Sequence, residues 1–207
     1  MDRHITLYYA PQTRSLGALI LLEELGADYG LQLLNMKAGE QRSKGYLAIN
    51  PMGKVPAVVH GGALVTEQAA ICIYLADLYP EAALAPALGD ALRGPYLRWM
   101  VFYGSCFEPA LIDRAMQREP GEQAMSPYGG FDTVMGALSA ELAKGPYMLG
   151  ETFSALDVLW GTALAWTTAF KLVPSSPLID AYIARVGARP AGARARAKDA
   201  MLAAAQA

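Results

Sequence analysis

A change of pattern near residue 80 constrains the fold of this chain more than any other feature. Before that point, short β-rich runs at residues 5–9, 29–34 and 55–59 alternate with stretches whose apolar residues recur at helical spacing. A glycine-containing turn at residues 60–63 joins the third run to a short fourth one. This order predicts a βαβαββα domain in which helices flank a mixed sheet.

After the change, the chain is predicted to be entirely helical. Residues 80–90 are rich in Pro, Ala and Gly, which is typical of a linker. We therefore expect an α/β domain over residues 1–79, a linker over 80–90 and an all-helical domain over 91–207. The helical patterns cover residues 92–116, 131–142, 155–170 and 178–186.

Charge and hydrophobicity indicate which classes of partner this chain is not expected to have. The formal net charge is −2 and the pI is about 5.7, so neither nucleic acid nor an anionic membrane is an expected partner. We interpret the basic run at residues 185–198 as a solvated helix face. The most hydrophobic run, residues 155–173, has charges near both ends, and we expect a buried core helix there instead of a membrane span.

The two cysteines, Cys72 and Cys106, have neither CxxC nor metal-ligand spacing, so no metal is expected. This usage fits a reducing cytoplasm, and the first residues contain no apolar export signal. We therefore expect a cytoplasmic protein. The two histidines, His4 and His60, lie at a strand start and a turn, and they give no support for a Ser/His/Asp triad.

Three motifs occur in a characteristic order and spacing. They are Asn-Pro-Met-Gly-Lys-Val-Pro at residues 50–56, Thr-Glu-Gln-Ala-Ala-Ile-Cys-Ile-Tyr-Leu-Ala-Asp at 66–77 and Phe-Ser-Ala-Leu-Asp at 153–157. Together they resemble the soluble glutathione transferases over essentially the whole chain. The resemblance implies a thioredoxin-like N-terminal domain that binds glutathione and a helical domain that contributes an electrophile site. It also implies a homodimer and a detoxification reaction that joins glutathione to a hydrophobic electrophile.

The first motif predicts a place where an extended peptide can dock. Pro56 removes a ladder donor at the head of a strand, which leaves the backbone of Val55 unpaired at an edge. In the family this proline is cis and glutathione's cysteine pairs with the residue before it, which implies that role for Val55. The alternative is an ordinary edge-strand turn.

The second motif places Glu67 and Gln68 at a helix start, where unpaired N–H groups can hold a carboxylate and a nearby acid can hold an ammonium. Such a site suits a zwitterion, and the family binds the γ-glutamyl end of glutathione there. Gln68 stands where the family usually has Ser. The alternative for Glu67 is an acid that complements the helix dipole.

The thiol of glutathione needs a hydrogen-bond donor that stabilises its anion. Candidates, in order, are Ser15, Thr13 and Tyr8, which lie in or beside the loop after the first strand. Ser15 is equally well explained as a helix cap, Thr13 as a loop hydroxyl and Tyr8 as a core residue. Arg14 and Lys54 are candidate partners for glutathione's carboxylates, with surface solubility as the alternative.

The second substrate is expected against the helical domain. Its candidate walls share an apolar, helically spaced pattern that is also typical of a core, and they are Trp99, Tyr103, Cys106, Phe107 and Trp166. In the third motif, Ser154 and Asp157 have capping-box spacing, and we expect them to stabilise the fold without taking part in chemistry.

Two other functions stay open at this point. One is a glutathione-dependent disulfide or peroxide reductase on the same fold, although the absence of cysteine from the first loop disfavours a mixed-disulfide mechanism. The other is a non-catalytic, protein-binding relative. Retention of Glu67 and of the loop hydroxyls favours the transferase.

Overall fold

The computed structural model describes residues 3–119, 121–122 and 124–206. The chain forms two compact units, one of Met1–Ala83 with Ala188–Ala207 and the other of Leu84–Gly187. The first unit contains the predicted βαβαββα order followed by a C-terminal helix. Its elements are β1 (Ile5–Tyr9), α1 (Ser15–Leu25), β2 (Tyr29–Leu33), α2 (Lys44–Ile49), β3 (Ala57–His60), β4 (Ala63–Val65), α3 (Gln68–Leu78) and α9 (Pro190–Ala205).

The sheet of the first unit has four strands in the order β2-β1-β3-β4. Strand β1 runs parallel to β2 and antiparallel to β3, and β4 returns antiparallel to β3. In β1, Ile5, Leu7 and Tyr9 are fully buried, while the two residues between them are half-buried on the other face. The sheet is therefore mixed and covered on one face by a packed core, as the sequence predicts.

Helix α9 belongs to the first unit, whereas the sequence predicts an all-helical domain that continues to residue 207. Small buried residues, Ala191 and Ala195 among them, let this helix approach α1 closely. The basic run is also more than a solvated face, because two of its arginines form ion pairs with acids on α1. Both features depend on contacts between residues far apart in the chain.

The described part of the second unit contains five α-helices. They are α4 (Arg93–Phe102), α5 (Glu108–Ala115), α6 (Phe131–Leu142), α7 (Ala155–Ala169) and α8 (Pro177–Gly187). A π-helical turn at Tyr103–Phe107 joins α4 to α5, so the predicted helix over 92–116 is continuous but locally widened. Within the described residues, no helix is both long enough and apolar enough to cross a membrane.

Helix α7 forms the centre of the second unit, and ten of its fifteen residues are buried. The expectation of a core helix over this hydrophobic run is therefore confirmed. Gly161 lets α8 pack closely, because a Cβ at this position would lie 2.6 Å from Cγ1 of Val186. The expected capping box is also present, since Ser154 and Asp157 bond reciprocally at the start of α7.

Candidate glutathione site

Three segments of the first unit meet at one end of the sheet. Tyr8 of β1 lies opposite Ala57, so the start of β3 is beside the end of β1. Val58 lies opposite Val65, so the end of β4 is at the same place. Consequently the β1–α1 loop (residues 10–14), the residues before β3 and the start of α3 share this end of the sheet.

The segment before β3 has a fixed backbone. The Val55–Pro56 peptide bond is cis, as the family resemblance implies. The carbonyl oxygen of Lys54 accepts two hydrogen bonds, one from the Tyr46 hydroxyl at 2.6 Å and one from the Asn50 side-chain amide at 2.9 Å. These contacts orient the backbone immediately before Val55, which is itself half-buried.

A glycine closes the turn that leads into this segment. Gly53 has φ 59°, a left-handed conformation that side chains rarely adopt. A Cβ added there would lie 2.7 Å from the backbone oxygen of Gln41. Both conformation and space therefore require glycine at this position.

The start of α3 combines an exposed acid with an unusual backbone. Glu67 has φ 65° and ψ 121°, and its carbonyl accepts the first hydrogen bond of the helix from the Ile71 N–H at 2.9 Å. A non-glycine residue with positive φ costs of order 1–3 kcal/mol, and such strain is concentrated at functional sites. The early N–H groups of this 11-residue helix have no intrahelical acceptors, so they can bind a carboxylate.

Gln68 connects the start of α3 to the β1–α1 loop. Its side-chain amide nitrogen donates to the carbonyl oxygen of Arg14 at 3.0 Å. Gln68 occupies the position where the family usually has a serine, and this longer side chain reaches the loop. The first-turn backbone of α3 and the loop are therefore linked directly.

Ser15 holds the loop from α1. It is fully buried, and its hydroxyl lies 2.8 Å from the carbonyl oxygen of Ala10 and 3.2 Å from the Ala10 N–H, which donates to it. Thr13 is half-buried, and its hydroxyl lies 2.7 Å both from the Ala10 oxygen and from the Ser15 hydroxyl. Ser15 thus faces the loop backbone, while Thr13 is the more accessible of the two hydroxyls.

Asp199 holds the loop from α9, and sequence reasoning missed it. This residue is 8% exposed, and its Oδ1 accepts hydrogen bonds from the Tyr9 hydroxyl and, at 3.0 Å, from the Gln12 N–H. Burial and the neighbouring carboxylate raise the pKa of Tyr9 well above its usual range, so this phenol stays a donor. The only sequence signal is that Asp199 is the single acid in an Ala/Arg-rich helix.

The adjacent tyrosine of β1, Tyr8, lies on the other face of the strand. Its ring packs against that of Tyr46 on α2, with centroids 5.5 Å apart. Tyr8 therefore packs against α2, whereas Tyr9 donates to Asp199, the carboxylate that also binds the loop. A catalytic role for Tyr8 stays a prediction.

Comparisons with known proteins identify the family of this chain. The family model described as "Glutathione S-transferase, N-terminal domain" matches residues 3–77. A solved glutathione transferase from Methylococcus capsulatus is 30% identical with a TM-score of 0.80, and the match covers 95% of this chain and 99% of that chain. The chain belongs to the glutathione transferase family.

Two further relatives of this transferase-family chain support the assignment. Glutathione S-transferase GstA of Escherichia coli O157:H7 is 28% identical over 187 residues, which cover 89% of this chain and 93% of that protein. A sphingomonad glutathione S-transferase, solved as a complex with glutathione, is 28% identical with a TM-score of 0.78 and coverages of 95% and 99%. The predicted thioredoxin-like domain and the helical part that follows it are thus confirmed.

The two candidate cations for glutathione's carboxylates both lie in the segments that converge at the end of the sheet. Arg14 is a half-buried loop residue, and Lys54 is exposed directly before Val55. Within residues 3–119, 121–122 and 124–206, no group of three or more His, Cys, Asp or Glu side chains could hold a metal ion.

The predicted electrophile residues of this transferase-family chain divide into two sets. Trp99, Tyr103 and Phe107 are at most 4% exposed, and their rings pack around Trp160 with centroids 5.0–6.0 Å away. They form an aromatic core of the second unit.

The other two predicted residues keep some exposed surface. Cys106 lies in the π-helical turn, and Trp166 packs on Phe170, with ring centroids 6.0 Å apart. A role of any of the five towards an electrophile stays a prediction.

Proposed function

We propose that this chain is a glutathione transferase that activates the glutathione thiol and joins it to a hydrophobic electrophile. One observation carries the proposal: the β1–α1 loop, the residues before β3 and the start of α3 converge at one end of the sheet. Family membership and the relatives that bear the name glutathione S-transferase support the same reaction class.

Each converging segment offers chemistry that suits one part of glutathione. The first N–H groups of α3 donate hydrogen bonds to the γ-glutamyl carboxylate, and the carboxylate of Glu67 accepts hydrogen bonds from the ammonium. The backbone of Val55 pairs with the cysteine backbone as an added strand would. Arg14 and Lys54 supply positive charge for the remaining carboxylate.

Thr13 is the hydroxyl that we assign to the thiol. Thr13 and Ser15 each have one proton, and both hydroxyls lie within bonding distance of the Ala10 oxygen and of each other. Ser15 can keep its bond to the Ala10 oxygen while Thr13 turns its proton toward an arriving sulfur. Thr13 then gives up its own bond to the Ala10 oxygen, but that oxygen keeps the Ser15 hydroxyl as a donor.

The chemistry needs no other proton-transfer group. The thiol proton passes to solvent, the Thr13 hydroxyl donates to the resulting thiolate, and the sulfur attacks an electrophilic carbon. A carbon–sulfur bond forms while the carbon–halogen bond of an aryl halide breaks, and the halide leaves with the bonding electron pair. Partly exposed Cys106 and Trp166 are the residues that we propose to contact the electrophile, because the other three candidates are buried.

The proposal includes a cytoplasmic homodimer. Two free cysteines, Cys72 and Cys106, fit a reducing compartment. The dimer rests on family resemblance, and analytical ultracentrifugation of the purified chain tests it.

A paired assay tests the reaction. Purified protein is given glutathione with an aryl halide, and separately glutathione with a mixed disulfide. We expect product from the aryl halide, and we expect Thr13→Val to lower its rate at neutral pH about tenfold or more, because the thiol pKa returns toward about 8.5. Thr13→Ser is the matched control and should keep most of the activity.

Other outcomes would replace the proposal. Turnover of the mixed disulfide alone would make the chain a reductase, and glutathione binding without turnover of either substrate would favour a protein-binding role. Equal rates for Thr13→Val and the parent would show that the Thr13 hydroxyl does not activate the thiol.

A further inference from the structure

We infer that Asp199 is a positioning residue of the glutathione site, so that the C-terminal helix α9 sets the geometry of the loop that acts on the thiol. The inference rests on the proposed function. It assigns a role to a carboxylate that lies 187 residues from the loop residue it contacts.

A single carboxylate oxygen joins two parts of the loop region. Oδ1 of Asp199 accepts from the hydroxyl of Tyr9, the last residue of β1, and from the N–H of Gln12 in the middle of the loop. Tyr9 is fully buried and Asp199 is 8% exposed, so water competes little for the bond between them, while the bond from the exposed residue Gln12 is partly buried. The end of the strand and the loop are therefore fixed relative to one another.

Gln12 needs such a partner because of its backbone conformation. It has φ 57°, in the left-handed region where the Cβ of a non-glycine residue crowds the following carbonyl oxygen. The bond from its N–H to Asp199 favours this conformation. If that bond is lost, the loop can relax toward negative φ, and the next residue, Thr13, is then aimed differently.

Side chains from three helices form hydrogen bonds with every second residue of the loop. Ser15 of α1 bonds Ala10, Asp199 of α9 bonds Gln12, and Gln68 of α3 bonds Arg14. The two contacts from α1 and α3 lie at the ends of the loop. The contact from α9 is to Gln12 in the middle of the loop, directly beside the proposed thiol donor.

Residues other than Asp199 dock α9 onto α1, so docking of the helix can be distinguished from positioning of the loop. Arg189 forms two hydrogen bonds of 2.7 Å with the Glu24 carboxylate, whose side chain is 7% exposed. Arg194 forms a second pair with Glu23 at 2.9 Å. These pairs and the small buried residues place the helix, so Asp199 can be changed while docking is kept.

The test compares Asp199→Ala and Asp199→Asn with a docking control, Glu24→Gln. Titration calorimetry with glutathione, the rate of aryl halide conjugation and the ultraviolet thiolate band of bound glutathione are measured for each protein. We expect kcat of Asp199→Ala to fall roughly tenfold or more, since small misplacement of a reacting group is costly. Its Kd for glutathione should change less than about threefold, because Val55 and the start of α3 are untouched.

The thiolate band separates positioning from general stability. It should weaken in Asp199→Ala, fall less in Asp199→Asn, which keeps one acceptor oxygen, and stay at the parental level in Glu24→Gln. Tyr9→Phe retains the bond to Gln12, so we expect a smaller loss of kcat than in Asp199→Ala. If the alanine variant does not fold, the comparison of Asp199→Asn with Glu24→Gln still tests the inference.

Three results would overturn the inference. If Asp199→Ala and Asp199→Asn keep kcat and the thiolate band of the parent, the carboxylate does not position the loop and the proposed function stands. If Glu24→Gln reduces kcat and the band as much as Asp199→Ala, only helix docking matters. If the parent neither binds glutathione nor conjugates it, the proposed function fails and this inference fails with it.

Discussion

Replacing Asp157 with alanine should destabilise the second unit strongly. Its carboxylate is fully buried and accepts hydrogen bonds from the Met148 N–H at 2.8 Å, the Tyr182 hydroxyl at 2.9 Å and the Ser154 N–H at 2.9 Å. The Ser154 hydroxyl lies 3.1 Å from it as well. Burial raises the pKa of Asp157, and these hydrogen bonds oppose that rise.

The expected loss follows from the groups that alanine leaves without an acceptor. Met148 N–H and the Tyr182 hydroxyl are buried, and each such orphaned donor costs about 1–3 kcal/mol. Loss of the cap at the start of α7 adds about 0.5–2 kcal/mol. We therefore expect Asp157→Ala to lower the free energy of unfolding by roughly 2.5–8 kcal/mol, a large share of the usual 5–15 kcal/mol.

Urea unfolding followed by tryptophan fluorescence measures this loss. The three tryptophans all lie within the second unit, so their fluorescence reports on that unit alone. Asp180→Ala, an exposed acid on α8, is the matched control and should change stability by less than about 1 kcal/mol. A loss below about 1 kcal/mol for Asp157→Ala would show that the buried donors do not depend on this carboxylate.

Two other predictions concern thiols and a turn. Burial raises the pKa of Cys72 to about 12, so at pH 8 this thiol should be protonated and inert, while partly exposed Cys106 reacts. A colourimetric thiol titration should find one reactive group in native protein and two after denaturation, and two rapid native groups would contradict this. Gly53→Ala should destabilise the first unit and weaken glutathione binding, because its Cβ would meet the Gln41 backbone 2.7 Å away. Thermal unfolding and calorimetry check this, and an unchanged Tm would contradict it.

The sequence predicts the local features of the site because they depend on neighbouring residues. Periodicity and turn residues give the strand and helix order, and the motif around Pro56 leads to the segment before β3. The cap at Ser154 is similarly local, and the structure contains it. A short stretch of chain is sufficient to specify each of these features.

Features that depend on distant contacts could not be predicted in this way. Glu24 and Arg189 pair across 165 positions, and neither residue's neighbours indicate the other. The same is true of Asp199 and the loop residues that it holds. For Ser15, the sequence shows a hydroxyl at a helix start, but only the fold shows that this hydroxyl faces the Ala10 backbone.

Calorimetric titration with glutathione, for the parent and for Glu67→Ala, is the decisive test of a glutathione site at the start of α3. We expect the parent to bind glutathione and the variant to bind it roughly 10–150-fold more weakly, because a charge-assisted hydrogen bond worth about 1.5–3 kcal/mol is lost. Glu81→Ala, which removes an exposed acid paired with Arg3 in the same unit, should bind like the parent. No binding by the parent, or equal binding by Glu67→Ala, would contradict a glutathione site at the start of α3.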